Sequence, residues 1–281
     1  MPKHIKPHDN NNCPIVDIHD EMLPLCYFNH VKLTKGQSFS YQLAAYESVI
    51  VMVRGTSQIE AGSDVYGDVG KRESLWEGKP DSVYVPLNTP ANIRCESPTC
   101  ELFIAGGQTT EQHKSFQVSP EDVEVIQYGS DDTKTHRKIM HILGHNAEGK
   151  VGRILVSELF TVGAGGWSGF PPHKHDEERP PLETRFEELY QFRFRPEHGF
   201  GAQFVYPNDD SFGPVYHIKN GSTILIDEGY HPSVAAPGYE MYYFTLIVGE
   251  HTRSLLQYFH PDHEYQVHTI PGIKDMIAGF K

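Results

Sequence analysis

Imidazole and carboxylate side chains in the second half of the chain have the types and spacing of a metal site. They are His173, His175, Glu187, Glu188 and His231. In an extended segment side chains alternate, so His173 and His175 point to one face and Lys174 to the other. A strand that begins at Glu188 can supply a carboxylate, and a turn after Ile226 can deliver His231. Three imidazoles and one carboxylate suit a divalent Zn, Mn, Fe, Ni or Co ion and leave coordination positions open for substrate.

Short β-rich runs recur along the whole chain and would position these groups. They cover residues 48–53, 82–85, 100–104, 153–161, 189–194, 222–226 and 242–248. Clusters of Gly, Pro, Asn and Asp between the runs supply turns, and many short strands at this spacing predict an all-β sandwich or barrel. A helix is predicted over 120–127, with Ser119 as its N-cap.

The two halves of the chain match each other at one offset of 141 residues. That offset places Glu47 and the β-rich run after it on Glu188 and its run, and it places 83–90 on 224–231. Two separate segments that share an offset indicate a duplicated domain. Pro90 stands where the second half has His231, so the metal ligands are expected in the second copy alone. The linker-like segment 129–136 sets the predicted domains at 1–130 and 131–281.

Composition limits the partners of the chain. Its 281 residues fit about two domains, and 24 Lys+Arg against 37 Asp+Glu give a net charge of −13, which repels nucleic acid and anionic lipid. Apolar runs are far shorter than the roughly 20 residues that span a bilayer, and the N-terminus lacks the apolar core of a secretory signal. We therefore expect a cytoplasmic protein without a nucleic-acid or membrane partner. An anionic substrate must meet local positive charge, for which Arg179 and Arg185 are the candidates.

The second half resembles the cupin family. Gly166, the His173-Lys174-His175 run and a following Glu are similar to the first cupin motif, and Gly221 to His231 is similar to the second. The resemblance implies jelly-roll β-barrels, two in tandem (a bicupin), with His173, His175, Glu188 and His231 as metal ligands. The segment 176–187 adds residues before the Glu, and this leaves Glu187 as the alternative ligand.

Most of the chain also resembles the 5-deoxy-glucuronate isomerase family of myo-inositol catabolism. The matching segments are 166–168, 171–176, 187–190, 229–232, 237–239 and 242–243, with 72–74 and 81–86 in the first half. This resemblance implies isomerisation of 5-deoxyglucuronate to 5-dehydro-2-deoxygluconate through an enediolate, with a metal that polarises the carbonyl. Glu187, Tyr239 and Tyr242 are then the candidate proton carriers.

Two other functions fit the same ligands. A cupin oxygenase would use them with iron and consume O2, whereas an isomerase works anaerobically without net redox change. A non-catalytic sugar-binding cupin is the third possibility, because fold alone does not fix function. For an isomerase we expect a small sugar acid as substrate and a homo-oligomer as the assembly.

Overall fold

The computed structural model describes residues 3–207, 209 and 211–278, and their regular structure is nearly all β. The short helical segments are two 3-10 turns, His145–Ala147 and Glu264–His268, and the helix α1 (Ile273–Ala278). The strands are β1 (Lys3–Ile5), β2 (Pro14–Val16), β3 (Cys26–Thr34), β4 (Ser38–Tyr41), β5 (Tyr46–Arg54), β6 (Ser57–Ala61), β7 (Asp64–Val69), β8 (Ser82–Val85), β9 (Ala91–Cys95), β10 (Thr99–Gln108), β11 (Phe116–Val118), β12 (Glu124–Tyr128), β13 (Arg137–Leu143), β14 (Ile154–Thr161), β15 (Gly166–Ser168), β16 (His173–Lys174), β17 (Phe186–Arg195), β18 (Phe200–Phe204), β19 (Val215–Lys219), β20 (Thr223–Ile226), β21 (Ser233–Ala235), β22 (Glu240–Gly249) and β23 (Tyr258–Phe259). The all-β prediction is confirmed, and each of the seven β-rich runs coincides with a strand or part of one to within one residue.

The chain forms two compact units that are not continuous in sequence. The described residues of unit 1 fall within 1–8, 125–145 and 156–281, and those of unit 2 within 9–124 and 146–155. The predicted boundary between residues 130 and 131 therefore lies inside a segment of unit 1. The assignment of the two domains as tandem cupins stays a prediction at this point.

Unit 1 contains the strands that carry the predicted metal ligands. One sheet has the order β1-β20-β17-β22-β14-β13-β12, a second has β15-β21-β18-β19, and β16 pairs with β23. Alternate residues of β17, β20 and β22 pack into one apolar cluster that includes Tyr190, Phe192, Ile224 and Tyr243. The face of β17 that bears Tyr190 and Phe192 also bears Glu188, because side chains alternate along a strand.

Unit 2 repeats the strand order of unit 1. Its sheets run β11-β8-β5-β10-β3-β2 and β4-β9-β6-β7, so the order β8-β5-β10-β3 corresponds to β20-β17-β22-β14, and β4-β9-β6-β7 to β15-β21-β18-β19. The offset of 141 residues carries β8 onto β20 and β10 onto β22 with identical bounds. The match that sequence alone indicated between two segments therefore extends to eight strands.

The predicted helix over 120–127 is wrong. Residues 120–122 form a turn, and β12 begins at Glu124. Ser119 does act as a local cap, since its hydroxyl donates to Asp122 Oδ2 at 2.7 Å and its carbonyl accepts from the Asp122 N–H at 3.0 Å. This closes a turn instead of starting a helix, because the Val-Ile-Gln-Tyr run that follows favours a strand.

No helix among the described residues is long and apolar enough to span a bilayer.

Candidate metal centre

Three buried side chains of unit 1 bring potential metal-ligand atoms within 4.8 Å of one another. They are His175, Glu188 and His231. Glu188 lies near the start of β17, His175 directly follows β16, and His231 lies in the turn that follows β20. That turn requires a glycine at Gly229, which has φ +89° and where a Cβ would lie 2.6 Å from the Tyr206 carbonyl oxygen. Strand pairing and one glycine turn thus assemble ligands that are far apart in sequence.

The carboxylate of Glu188 is the centre of the group. Its Oε2 lies 3.0 Å from His175 Nε2 and 3.2 Å from His231 Nε2, and its Oε1 accepts a hydrogen bond from Thr245 Oγ1 at 2.8 Å. Burial alone would raise the pKa of Glu188, but the His175 and His231 rings hold that pKa well below its usual range. Glu188 is therefore ionised at neutral pH.

Each imidazole in this region places its Nδ1 against a backbone carbonyl. His231 Nδ1 lies 2.8 Å from the Gly229 oxygen, His175 Nδ1 lies 3.2 Å from the Phe186 oxygen, and His173 Nδ1 lies 3.2 Å from the Pro171 oxygen. Because a carbonyl only accepts, each Nδ1 carries a hydrogen, and Nε2 is the nitrogen of each ring that is left to face the group. Such contacts typically fix the tautomer of a metal-binding histidine.

The donor set fits a divalent cation. The buried Nε2 of His231 has no hydrogen-bond partner, although Glu188 Oε2 is close. With a metal bound, the Nε2 atoms of both imidazoles and the Glu188 carboxylate would serve as ligands, in place of the contact between His175 Nε2 and Glu188 Oε2 at 3.0 Å. Nitrogen and oxygen ligands of this kind suit Zn and its transition-metal neighbours.

His173 lies beside this group but is not one of the three residues whose ligand atoms lie within 4.8 Å of one another. Its ring centroid is 5.0 Å from that of His231 and 6.5 Å from that of His175. Burial, with the neighbouring His231 and His175 rings, lowers the pKa of His173 to about 3, so this ring is neutral.

The choice between the two adjacent glutamates follows from strand alternation. Glu188 is buried beside the imidazoles, whereas Glu187 is half-buried on the opposite face of β17 and pairs in register with Val248. The structure therefore brings Glu188 into the group and leaves Glu187 out of it.

The structure does not bring Tyr239 or Tyr242 to the group either. The Tyr242 hydroxyl donates to Glu158 Oε1 at 2.9 Å, and its ring packs on Phe160, on the sheet face opposite Tyr243. Tyr239 precedes β22 and packs on the rings of His198 and Phe200.

The register of β17 with β22 also separates Tyr239 from Glu188. Arg195 pairs with Glu240, whereas Glu188 pairs with Ile247. Glu240 and Ile247 are seven positions apart along β22, which is about 23 Å at about 3.3 Å per residue.

The two arginines predicted to bind substrate lie in ion pairs. Arg179 donates to Glu183 Oε2 through Nε at 3.0 Å and Nη2 at 2.7 Å, and Arg185 Nε lies 2.9 Å from Glu250 Oε2. Glu183 is fully buried and also binds Lys174, which points away from the imidazoles as strand alternation predicts. These contacts order the loop between the His pair and β17.

The same loop supports the turn that carries His231. Asp176 Oδ2 accepts a hydrogen bond from the Gly229 N–H at 2.6 Å, and Asp176 in turn binds Lys174 Nζ at 2.5 Å. The extra residues of segment 176–187 therefore have a structural role in holding one ligand turn.

Sequence reasoning missed Tyr190 and Thr245 as parts of this site. Burial and the adjacent Glu188 charge raise the pKa of Tyr190 well above its usual value, and its ring centroid is 6.1 Å from that of His231. The two-residue period of a strand places Tyr190 on the same face of β17 as Glu188. Thr245 of β22 pairs in register with Tyr190. A protonated phenol and a hydroxyl thus flank the carboxylate.

Unit 2 keeps a buried glutamate at the matching position but gives it different partners. Glu47 on β5 accepts a hydrogen bond from the Tyr84 hydroxyl at 2.6 Å. It also accepts from the backbone N–H groups of Gly152, Arg153 and Ile154 at 2.7, 2.6 and 3.2 Å. Backbone N–H groups therefore stabilise the charge of Glu47 in unit 2, whereas imidazoles contact Glu188 in unit 1.

These features define an all-β protein of the cupin type with a buried His/Glu site suited to a divalent metal. The chain matches the KduI/IolB family model over residues 3–266 and belongs to that family. The resemblance inferred from sequence motifs is confirmed by relatives such as the 5-deoxy-glucuronate isomerase of Geobacillus thermodenitrificans (strain NG80-2). That protein is 34% identical over 239 residues, which are 85% of each chain.

Solved structures agree with this assignment. The crystal structure of an IolB-like protein from Salmonella typhimurium LT2 has a TM-score of 0.80 at 28% identity and covers 86% of this chain and 89% of that chain. An oxalate decarboxylase from Lactobacillus farciminis has a TM-score of 0.63 at 10% identity, covering 95% of this chain and 90% of that chain. The second likeness supports the fold alone.

Proposed function

We propose that this chain is an aldose–ketose isomerase that converts 5-deoxy-D-glucuronate to 5-dehydro-2-deoxy-D-gluconate in myo-inositol catabolism. The observation that carries the proposal is the buried His175, Glu188 and His231 group in a chain whose family relatives are 5-deoxy-glucuronate isomerases. The reaction moves hydrogen between neighbouring carbons and needs no external oxidant.

His173, His175, Glu188 and His231 are the proposed ligands of a divalent metal, whose identity among Zn, Mn, Fe, Ni and Co stays open. When bound, the metal supplies a Lewis acid that polarises the substrate carbonyl. Backbone carbonyls orient the imidazoles, and Thr245 orients Glu188. This support keeps the donor atoms in place without reorganisation during the reaction.

The isomerisation takes the proton from C2 of the aldehyde form and returns a proton to C1, while the hydroxyl proton on O2 passes to O1. Tyr190 is protonated and adjoins Glu188 and His231, so its hydroxyl is suited to donate a hydrogen bond where negative charge develops on oxygen. Glu187, Tyr239 and Tyr242, the proton carriers predicted from the sequence, lie outside this group, and their positions favour structural roles.

Further parts of the proposal concern the whole protein. The repeated strand order supports two tandem cupin domains, a metal-binding one mainly from the second half and a degenerate one mainly from the first. We expect a homo-oligomer located in the cytoplasm. Sedimentation analysis of the purified protein tests the assembly.

The experiment that tests the function is anaerobic NMR of metal-analysed protein with 5-deoxyglucuronate in D2O. We expect ketose signals that disappear when a chelator removes the metal and return when metal is restored. Deuterium on the carbon that was the aldehyde would report exchange of the transferred proton with solvent. A metal-loaded protein that leaves the substrate unchanged would contradict the proposal, and O2 consumption in an aerobic control would favour an oxygenase.

A further inference from the structure

A buried cation in unit 1 has no carboxylate partner among the residues that the structure describes. Arg137 on β13 is 2% exposed, and its Nη2 donates to the Tyr243 hydroxyl oxygen at 3.0 Å. Its Cζ lies 5.7 Å from the Tyr243 ring centroid and 6.0 Å from that of Tyr128. The buried Nε has no hydrogen-bond partner. Burial of an unpaired guanidinium is costly, so a fold that keeps one usually uses its charge.

The hydroxyls beside Arg137 extend this polar position. The Tyr243 hydroxyl is hydrogen-bonded to Ser168 Oγ as well as to Arg137. Ser168 is fully buried and lies on β15, opposite Ser233 of β21. An unsatisfied guanidinium N–H with two hydroxyls close by makes a position that favours an anion.

Arg137 lies on the same sheet face as the metal ligands. Tyr243 and Tyr190 have ring centroids 4.5 Å apart, and Tyr190 is in turn 6.1 Å from His231. Arg137 pairs with Thr161, whose hydroxyl binds the backbone of Met241. From there the guanidinium reaches two residues along β22 to Tyr243, toward the ligands.

The carboxylate of Glu188 is directed along β22 toward the Tyr243 side, where Arg137 lies. Glu188 pairs with Ile247, but its carboxylate accepts from Thr245, two residues closer to Tyr243. Thr245 and Tyr243 are two residues apart on one face of β22, which is about 7 Å at about 3.3 Å per residue. The Tyr190 ring contacts both Tyr243 and His231 on this face. A ligand that reaches from Arg137 to the His/Glu group would therefore extend along the Tyr190 ring.

We propose that Arg137, positioned by Tyr243 and Ser168, binds the carboxylate of the sugar acid while its carbonyl end lies at the His/Glu group. The inference rests on the proposed isomerase function and adds the residue that selects acids over neutral sugars. Guanidinium is the side chain best suited to pair with a carboxylate. Arg179 and Arg185 already pair with Glu183 and Glu250.

The test compares Arg137→Gln and Arg137→Lys with the wild type and with Arg195→Gln as a matched control, an exposed arginine at the end of β17 that pairs with Glu240. For Arg137→Gln we expect kcat/KM for 5-deoxyglucuronate to fall about 100-fold, mainly through KM, with unchanged metal content. Arg137→Lys keeps the positive charge but lacks the two-pronged guanidinium, so its kcat/KM should lie between those of the wild type and Arg137→Gln. Arg195→Gln should match the wild type, and unchanged KM in both Arg137 variants would overturn the proposal.

A binding measurement separates this inference from the proposed function. D-gluconate and D-glucitol differ in having a carboxylate or a hydroxymethyl group at one end. We expect the metal-loaded wild type to bind gluconate at least tenfold more tightly by calorimetry, and Arg137→Gln to lose that preference. A wild type that shows the preference but no isomerisation contradicts the function and supports the carboxylate site.

A second variant covers failure of Arg137→Gln to fold. Tyr243→Phe removes the hydroxyl that holds Nη2, so the gluconate preference should fall several-fold while metal content stays unchanged. A soluble Tyr243→Phe or Arg137→Lys protein with the full wild-type preference would overturn the proposal.

Discussion

The hydrogen bond from Thr245 to Glu188 should control metal affinity without contributing a ligand. Thr245→Val keeps the shape of the side chain and removes the hydroxyl that donates to Glu188 Oε1 at 2.8 Å. A hydrogen bond to a charged group contributes about 1.5–3 kcal/mol, which is about 10- to 100-fold in affinity at about 1.4 kcal/mol per tenfold. Partners of metal ligands typically have effects in the same 10- to 100-fold range.

The assay is competition for Zn²⁺ between the protein and a fluorescent chelator at fixed pH. Thr245→Val should weaken binding by about 10- to 100-fold, while Thr245→Ser, which keeps the hydroxyl, should stay close to the wild type. Thermal unfolding in excess chelator checks that both variants are folded. If Thr245→Val binds Zn²⁺ as tightly as the wild type, the hydroxyl does not orient Glu188 and the reasoning is refuted.

Four further perturbations follow from the same contacts. His231→Ala removes a ligand and should abolish both stoichiometric metal binding and turnover, measured by elemental analysis and NMR. Tyr190→Phe should lower kcat at least tenfold, whereas Tyr242→Phe should change kcat less than twofold; the reverse order would restore Tyr242 as a proton carrier. Glu47→Gln places an NH2 group against backbone N–H donors, so the free energy of unfolding measured in urea should fall by about 3 kcal/mol, with unchanged metal content. Burial lowers the pKa of His141 from 6.5 to about 4, so its contribution to stability is complete above pH 6.5 and is lost as pH falls toward 4. His141→Gln should therefore reduce the stability loss between pH 7 and pH 5 by about 2 kcal/mol in chelator-treated protein.

Local rules predicted much of the fold and the centre of the site. Strand alternation predicts His173 and His175 on one face and Lys174 on the other, and in the structure Lys174 pairs with Glu183 whereas His175 contacts Glu188. The β-rich runs coincide with strands. The one-residue choice at Glu188 also follows from alternation once the start of β17 is known. These inferences depend on a period of two and on neighbours in sequence, which the chain displays directly.

Other assignments depended on register and on partners distant in sequence. Tyr242 and Tyr243 are adjacent, yet only the second faces the interior cluster that adjoins the site. A motif match cannot distinguish them, because a shift of one residue exchanges the faces of a strand. Similarly, Glu183 and Glu250 neutralise the arginines of the loop, while Arg137 meets Tyr243 across 106 residues.

The two units show that a conserved strand order does not by itself produce a metal site. Glu47 and Glu188 occupy matching positions in matching strands, and both are buried. Glu47 already accepts four hydrogen bonds, three of them from peptide N–H groups, so its charge is satisfied by the backbone. Glu188 instead faces the Nε2 atoms of two imidazoles whose Nδ1 atoms contact backbone carbonyls, an arrangement suited to metal ligands. The partners around the glutamate thus distinguish the two units, because imidazoles contact Glu188 whereas peptide N–H groups and a phenol occupy the oxygens of Glu47.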